Sequence, residues 1–291
     1  MACAIARLLE DRTDLVIVQG DTSSALGGAR AARARGISLA HVEAGLRTGD
    51  LSHPWPEEGY RIEIDSIANL LFAPTDVSAD NLDREGVAGA VHVTGNTSID
   101  ALNARLVELP ERPALYRNRP LVLVTCHRRE NWSRGVQSLI DAIDRLATDD
   151  VADFDIIVPP NAFVADTMRT ALRAKHFGIV LRDPLSHRQL IERMREATVV
   201  LSDSGGIQEE AATLGVPMLI LRDKTERPEG ITSGNAALIP IETEAIVQAV
   251  TRLIADQASL DAMSRRTSPY GDGKAAPRIA SIIADWLEAR W

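Results

Sequence analysis

Short runs of consecutive apolar residues, each followed by a stretch of helical spacing, recur almost from end to end of this chain. Runs such as Val16-Ile17-Val18 are apolar at every position rather than at alternate ones. A strand built from them is buried on both faces, which is the condition of a parallel sheet covered by helices on either side. The strands expected on this basis are Leu15–Gln19, Ser38–Val42, Leu70–Pro74, Val91–Thr94, Leu121–Thr125, Phe154–Val158, Ile179–Leu181, Val199–Ser202, Met218–Leu221 and Ala237–Ile239. Their alternation with helical patterns predicts an α/β fold rather than a sandwich. Aromatic residues make up only 4%, so Ala, Val, Leu and Ile must build the cores.

At 291 residues the chain is long enough for two domains. The break is expected at Leu109-Pro110-Glu111-Arg112-Pro113, because two prolines within four residues cannot continue a helix. A new strand and helix series opens at Pro120, so Leu109–Arg119 reads as a hinge between two α/β domains. No internal repeat or low-complexity tract interrupts either half.

Charge and cysteine usage exclude several functions. The net charge is −9 and no Lys/Arg block stands out, so there is no basic footprint for a nucleic-acid backbone. Phosphate bound here must be held locally, by a few Arg or His side chains and helix N-termini. Cys3 and Cys126 stand far apart and outside any ligand spacing, which argues against a disulfide framework or a metal site. The absence of a long apolar run or a signal-peptide layout predicts a cytoplasmic chain with no membrane contact.

Five segments carry chemistry. Gln19-Gly20-Asp21-Thr22-Ser23 follows a buried strand, where open α/β sheets bind ligands, although Asp21 and Thr22 also read as a helix N-cap. In His41-Val42-Glu43-Ala44-Gly45-Leu46-Arg47, His41 and Glu43 lie on one side of a strand and Gly45 permits a sharp exit. A structural Glu43–Arg47 pair explains that segment equally well. Pro54-Trp55-Pro56-Glu57-Glu58 sets two acids at a helix start, which by themselves satisfy the helix dipole. With Asp21 and Glu43, however, they offer carboxylates that can converge on one site.

The fourth segment, Thr125-Cys126-His127-Arg128-Arg129-Glu130-Asn131, puts a His and two Arg at a strand end, a plausible diphosphate clamp. The fifth, Ser202-Asp203-Ser204-Gly205-Gly206-Ile207-Gln208-Glu209-Glu210, turns from strand to helix where backbone N–H groups can meet a phosphate. Paired glycines cost a helix about 1 kcal/mol each, which suggests close approach of a ligand. Glu210, one turn further in, can accept from ribose hydroxyls, and Arg227 in Thr225-Glu226-Arg227-Pro228-Glu229 can reach the same pocket. Neither a Walker loop nor a Gly-x-Gly-x-x-Gly nor a Gly-x-Ser-x-Gly is present, so neither a dinucleotide cofactor nor acyl transfer is indicated.

Taken together, QGDT, HVEAGLRTGD, PWPEE, HRREN, SDSGGIQEEA, RDKTERPE and PYGDG resemble the non-hydrolysing UDP-N-acetylglucosamine 2-epimerases, from about Val16 to the C-terminus. The resemblance implies two Rossmann-like domains of the glycosyltransferase-B kind, with the active site in the cleft and a homodimeric assembly. It places the N-terminal domain at 1–108, with the final helix 276–291 packing back on it, and a UDP-binding domain at 109–275. It further implies epimerisation at the second sugar carbon by anti-elimination and re-addition of UDP, without metal or redox cofactor. Carried over by position, Asp21, Glu43 and Glu57 are the acid/base group and His127 is the diphosphate partner. Arg128, Ser204, Gly205, Gly206, Glu210 and Arg227 are the UDP ligands.

The chain departs from the family in places. Leu190 stands where an aromatic is common on the uracil side, and Cys126 where a small residue is usual. Pro160-Asn161-Ala162-Phe163-Val164-Ala165 lacks the family's His in the region that binds a second, activating substrate molecule. The family's opening strand and Gly-Thr-Arg-Pro-Glu loop are also absent. The first helical segment, Met1–Asp11, runs directly into what the family makes its fourth strand. The expectation is therefore a first domain short of its initial strands, by roughly seventy residues. Leu15–Gln19 is then an uncovered edge, and the chain alone is poorly soluble or weakly active. Two other functions share these residues: 2-epimerisation of a UDP-diacetamido uronic acid, and sugar-nucleotide binding without turnover. Glycosyl transfer has no use for three carboxylates around the second carbon.

Overall fold

In a computed structural model of the chain, the described residues are 2–7, 9, 12–110, 119–128, 131–132, 134–172 and 176–290. Most of the expected hinge (111–118) lies outside them, as do Arg129 and Glu130 of the His-Arg-Arg segment. The helix expected over Met1–Asp11 is described as Ala2–Ala6, with residues 8, 10 and 11 outside the described set. The chain forms two compact units, Met1–Asn103 with Tyr270–Trp291, and Ala104–Pro269.

The first unit is built on four parallel strands, β1 (Leu15–Gln19), β2 (Ser38–Val42), β3 (Leu70–Ala73) and β4 (Ala90–Val93), in the order β1-β2-β3-β4. Successive residues of β2 and β3 feed opposite cores. Leu39, Leu71 and Ala73 join a cluster with Leu26, Ala29 and Ile64 from the helices Ser23–Ala34 and Glu57–Ile67. Ala40, Val42, Leu70 and Phe72 face Ile279, Ile282, Ile283 and Trp286 of the last helix, Ala275–Glu288. Because helices cover both faces, β2 from Leu39 onward and the whole of β3 are buried. The first strand is an edge, as the resemblance implied, rather than the strand covered on both faces that its apolar run alone implied. Of Val16-Ile17-Val18 only Val18 is buried, and Ile17 is 54% exposed, because β1 pairs on one side only and forms the edge of the sheet.

The second unit contains six parallel strands: β5 (Leu121–Thr125), β6 (Asp153–Ile157), β7 (Ile179–Arg182), β8 (Val199–Ser202), β9 (Met218–Leu221) and β10 (Ala236–Ile239). Their order is β10-β9-β8-β5-β6-β7. The chain winds outward from β5 through β7, returns to β8 on the other side of β5, and winds outward again. The order therefore reverses between β5 and β8, and ligands of open α/β sheets bind beyond the strand ends at that point. Thr125 pairs with Ser202 at the carboxyl ends of β5 and β8, with their hydroxyls 2.6 Å apart. The segments beginning at Cys126 and Asp203 thus leave the sheet side by side.

Candidate active site

In the first unit, the strand-end residues gather around the Gly20 peptide. Thr22 takes the helix cap, accepting from the Ala25 N–H at 3.1 Å, which leaves Asp21 outside the helix. Glu43 adopts φ +69°, a left-handed conformation uncommon outside glycine, while its N–H and that of Ala44 both donate to the Phe72 carbonyl. This turn directs Glu43 toward the first strand's exit. Its Oε2 lies 3.6 Å from where a side chain on Gly20 would begin. The sharp exit after Ala44 also requires Gly45, whose φ is +82° and where a Cβ would lie 2.2 Å from the Ser78 carbonyl.

Behind these acids lies a relay of polar side chains that runs from the buried His41 and Asp65 out to the surface. His41 Nε2 meets the Gly20 carbonyl at 2.9 Å, and Nδ1 lies 2.5 Å from Asp65 Oδ1. The other oxygen of Asp65 accepts from the Gly45 N–H and from Arg47, whose guanidinium continues to Glu85. Arg47 is therefore committed to Asp65 and Glu85, not to the Glu43 partner that its spacing suggested. Burial alone would raise the Asp65 carboxyl. The hydrogen bonds and charges of His41 and Arg47 outweigh it and hold the carboxyl below its ordinary value.

The adjacent acids Glu57 and Glu58 separate in role. Glu58 is buried and its Oε1 accepts from the N–H groups of Thr48 and Gly49, closing the loop that precedes the helix. Glu57 is only half-buried. One turn on, the fully buried Arg61 approaches Asp21 Oδ2 at 3.3 Å and Glu58 Oε2 at 3.5 Å, yet none of its guanidinium nitrogens has a well-aligned hydrogen bond. Such a cation beside two carboxylates strengthens any negative charge placed there. Neither Arg61 nor Asp65 was singled out in the sequence. The available signal was three charged residues, Glu58, Arg61 and Asp65, at the spacing of an apolar helix face.

In the second unit, the strand ends of β5 and β8 are joined through Asp203, which is fully buried. Its carboxylate accepts from the backbone N–H of His127 and of Arg128, and from the Asn131 amide at 2.9 Å. The His127 ring also faces it, with Nδ1 3.1 Å from Oδ1. Burial pushes this carboxyl up, but the convergence of donors and the His127 ring hold it well below its usual range. The Asp203 carbonyl accepts from Arg128 Nε and Arg222 Nε. His127 itself is about half exposed, so the anchored ring still opens to ligand.

The helix Gly205–Leu214 begins immediately after this node, and the Ser204 side chain makes no capping bond to it. Its first N–H groups thus remain available to an anion. The two glycines have different reasons. A Cβ at Gly205 would lie 2.5 Å from Arg227 Nη1, so that glycine makes room for a protein side chain. At Gly206 a Cβ would meet nothing within 4 Å, so that side of the helix start is open. Arg227 donates to Glu209 at 2.6 Å and to Glu226, which also takes Arg222 at 2.7 Å. Glu210 pairs with His187 Nε2 at 2.6 Å. Burial raises its carboxyl, the His187 hydrogen bond opposes the rise, and the Glu209 charge adds to it. In Pro160–Ala165, Asn161 caps the following helix by accepting from the Val164 N–H.

The structure brings Asp21 and Glu43 together around Gly20 in the first unit, with Glu57 on the adjoining helix start. In the second it brings His127, Arg128 and Ser204 to the β5 and β8 ends, with Gly205, Gly206, Glu210 and Arg227 along the next helix and loop. Two parallel α/β units with polar strand ends define the class of glycosyltransferase-B-like proteins. A family model described as UDP-N-acetylglucosamine 2-epimerase matches residues 2–284, and the chain belongs to that family. The UDP-N-acetylglucosamine 2-epimerase of Escherichia coli (strain K12) is 41% identical over 290 residues, covering 95% of this chain and 77% of that protein. Among solved structures, UDP-GlcNAc 2-epimerase from Neisseria meningitidis bound to UDP-GlcNAc superposes with a TM-score of 0.92 at 36% identity, covering 98% of this chain and 80% of that one. The Methanocaldococcus jannaschii enzyme in complex with UDP-GlcNAc and UDP gives 0.83 at 32%, covering 97% and 79%.

Proposed function

We propose that this chain interconverts UDP-N-acetylglucosamine and UDP-N-acetylmannosamine at the second sugar carbon. The observation that carries the reading is the family match over residues 2–284, a span that contains the acidic strand ends, the His-Arg segment and the glycine-led helix start. A carboxylate among Asp21, Glu43 and Glu57 removes the proton from the second carbon. The electron pair forms the ring double bond while the bond from the first carbon to the diphosphate oxygen breaks, and UDP leaves. His127 and Arg128 meet the charge developing on the departing diphosphate. A second carboxylate then returns a proton to the opposite face, and UDP adds back to the first carbon. Arg61, buried against Asp21 and Glu58, keeps that acid cluster from accumulating unopposed negative charge.

UDP is assigned to the second unit, through the N–H groups that open the helix at Gly205 and Gly206 and through Ser204, whose own N–H donates to the Ser202 hydroxyl, with Glu210 on the ribose and Arg227 supporting the helix start. Glu210 takes up that role by exchanging His187 for a ribose hydroxyl. We further infer a homodimer acting in the cytoplasm. No described helix is long and apolar enough to cross a membrane, and light scattering will give the assembly state. Turnover in heavy water tests the chemistry, since deuterium must appear on the second sugar carbon. Epimerisation without that label would rule out the elimination route.

A further inference from the structure

We propose that Asp203 is a positioning residue for this reaction. It sets the tautomer of His127, so that Nδ1 donates to Asp203 and Nε2 is the nitrogen that meets the diphosphate. The proposal rests on reading His127 as the diphosphate partner and deepens it.

The argument begins with what the carboxylate can do. An ionised Asp only accepts hydrogen bonds. Asp203 is surrounded by donors: the N–H of His127 at 3.1 Å, the N–H of Arg128 at 2.9 Å, the Asn131 amide at 2.9 Å and the Cys126 thiol at 3.5 Å. The proton on the ring nitrogen facing Oδ1 at 3.1 Å must therefore belong to His127. Free neutral imidazole side chains prefer the proton on Nε2, so Asp203 imposes the opposite form. The peptide beneath the ring is held at both ends, with the His127 N–H on Asp203 and its carbonyl accepting from Trp132 Nε1 at 3.1 Å. Little freedom remains for the ring to turn over.

This placement has a chemical consequence. With Nδ1–H committed, Nε2 carries a lone pair when the ring is neutral and a proton when it is charged. UDP departs and returns in one catalytic cycle, so the same nitrogen must release a proton toward a phosphate oxygen and take it back. A ring free to exchange tautomers would present the wrong nitrogen part of the time. The Asp203 carbonyl also fixes Arg128 Nε, aligning the neighbouring cation from the same residue.

Two experiments test this on the 291-residue chain. In nitrogen-15 histidine-labelled protein, a proton–nitrogen correlation spectrum reads the tautomer of His127, assigned by its loss in H127Q. The neutral ring is expected to carry its proton on Nδ1, and a proton on Nε2 would overturn the proposal. In kinetics, D203N should lower kcat by about 100-fold or more with little change in KM, and D203E should recover part of the loss. The double variant H127Q/D203N should be no slower than H127Q alone, because the carboxylate acts through the ring. An added loss in the double variant would make Asp203 a structural tie between β5 and β8 and overturn the proposal. A slow H127Q with a normal D203N would overturn this proposal alone, whereas a normal H127Q would also remove the reading beneath it. Should D203N fail to fold, the tautomer of the unsubstituted protein decides.

Discussion

Asp65 is fully buried, and its partners are the His41 ring, the Gly45 N–H and the Arg47 guanidinium. Taking one member out of a buried ionic network leaves the others uncompensated, at a cost of about 3–5 kcal/mol. Urea unfolding of D65A should show a loss of that size. The pH dependence follows in sign from the lowered carboxyls of Asp65 and Asp203. A depressed folded-state pKa means that the unfolded chain binds the proton more readily. Their contribution to stability is complete above the unfolded value near 3.9 and is lost as pH falls through the lower folded values. Unfolding free energy should accordingly drop in the acid limb below about pH 4, and D65N should show a shallower drop. Glu43 differs because it sits past the strand end and is only half-buried. E43Q should reduce kcat by about 10² to 10⁴-fold while leaving the melting temperature unchanged. Loss of fold in circular dichroism would contradict that separation.

The strand ends and helix starts differ in what their glycines do. Gly45 turns the chain out of β2 with a φ of +82°, and a Cβ there would collide with the Ser78 carbonyl. G45A should destabilise the first unit by at least about 3 kcal/mol, measurable by thermal melting. Gly206 stands in a helix with open space beside it. G206A should raise stability by about 0.5–1 kcal/mol by improving helix propensity. The same methyl should weaken UDP binding by about tenfold, or 1.4 kcal/mol, in calorimetry, because it occupies the approach to the helix start. A more stable variant that binds UDP as well as the parent would reject that use of the open space. At this scale most of the architecture was readable in advance. The strands of the second unit fall where their apolar runs lie, because period and burial are local properties of a few consecutive residues. The edge position of β1 came from the family resemblance and not from Val16-Ile17-Val18, whose composition by itself is that of a central strand.

At the scale of the molecule, the clusters described in the two units share no residue among the described residues: Val122, Leu139, Phe154 and their neighbours form one, while the first unit has its own clusters on the two faces of its sheet. Scanning calorimetry should therefore resolve two transitions. UDP at 100 times its Kd should stabilise the second unit alone, by about 2.7 kcal/mol. Deleting residues 270–291 would uncover Ala40, Val42, Leu70 and Phe72, which face the last helix, and should abolish only the first unit's transition. Apolar runs alternating with helical patterns already defined the α/β class, and the motifs placed polar residues at the strand ends, since both are written in neighbouring positions. The partner of each charge had to come from tertiary structure. Arg47 had Glu43 four residues away but pairs with Asp65 and Glu85, which lie 18 and 38 residues on. His127 is held by Asp203 across 76 residues of chain, because the doubly wound order sets β8 beside β5. A buried charge is stable only with an opposite charge at hydrogen-bond distance. Which residue supplies it depends on which strands become neighbours, and no local sequence pattern encodes that.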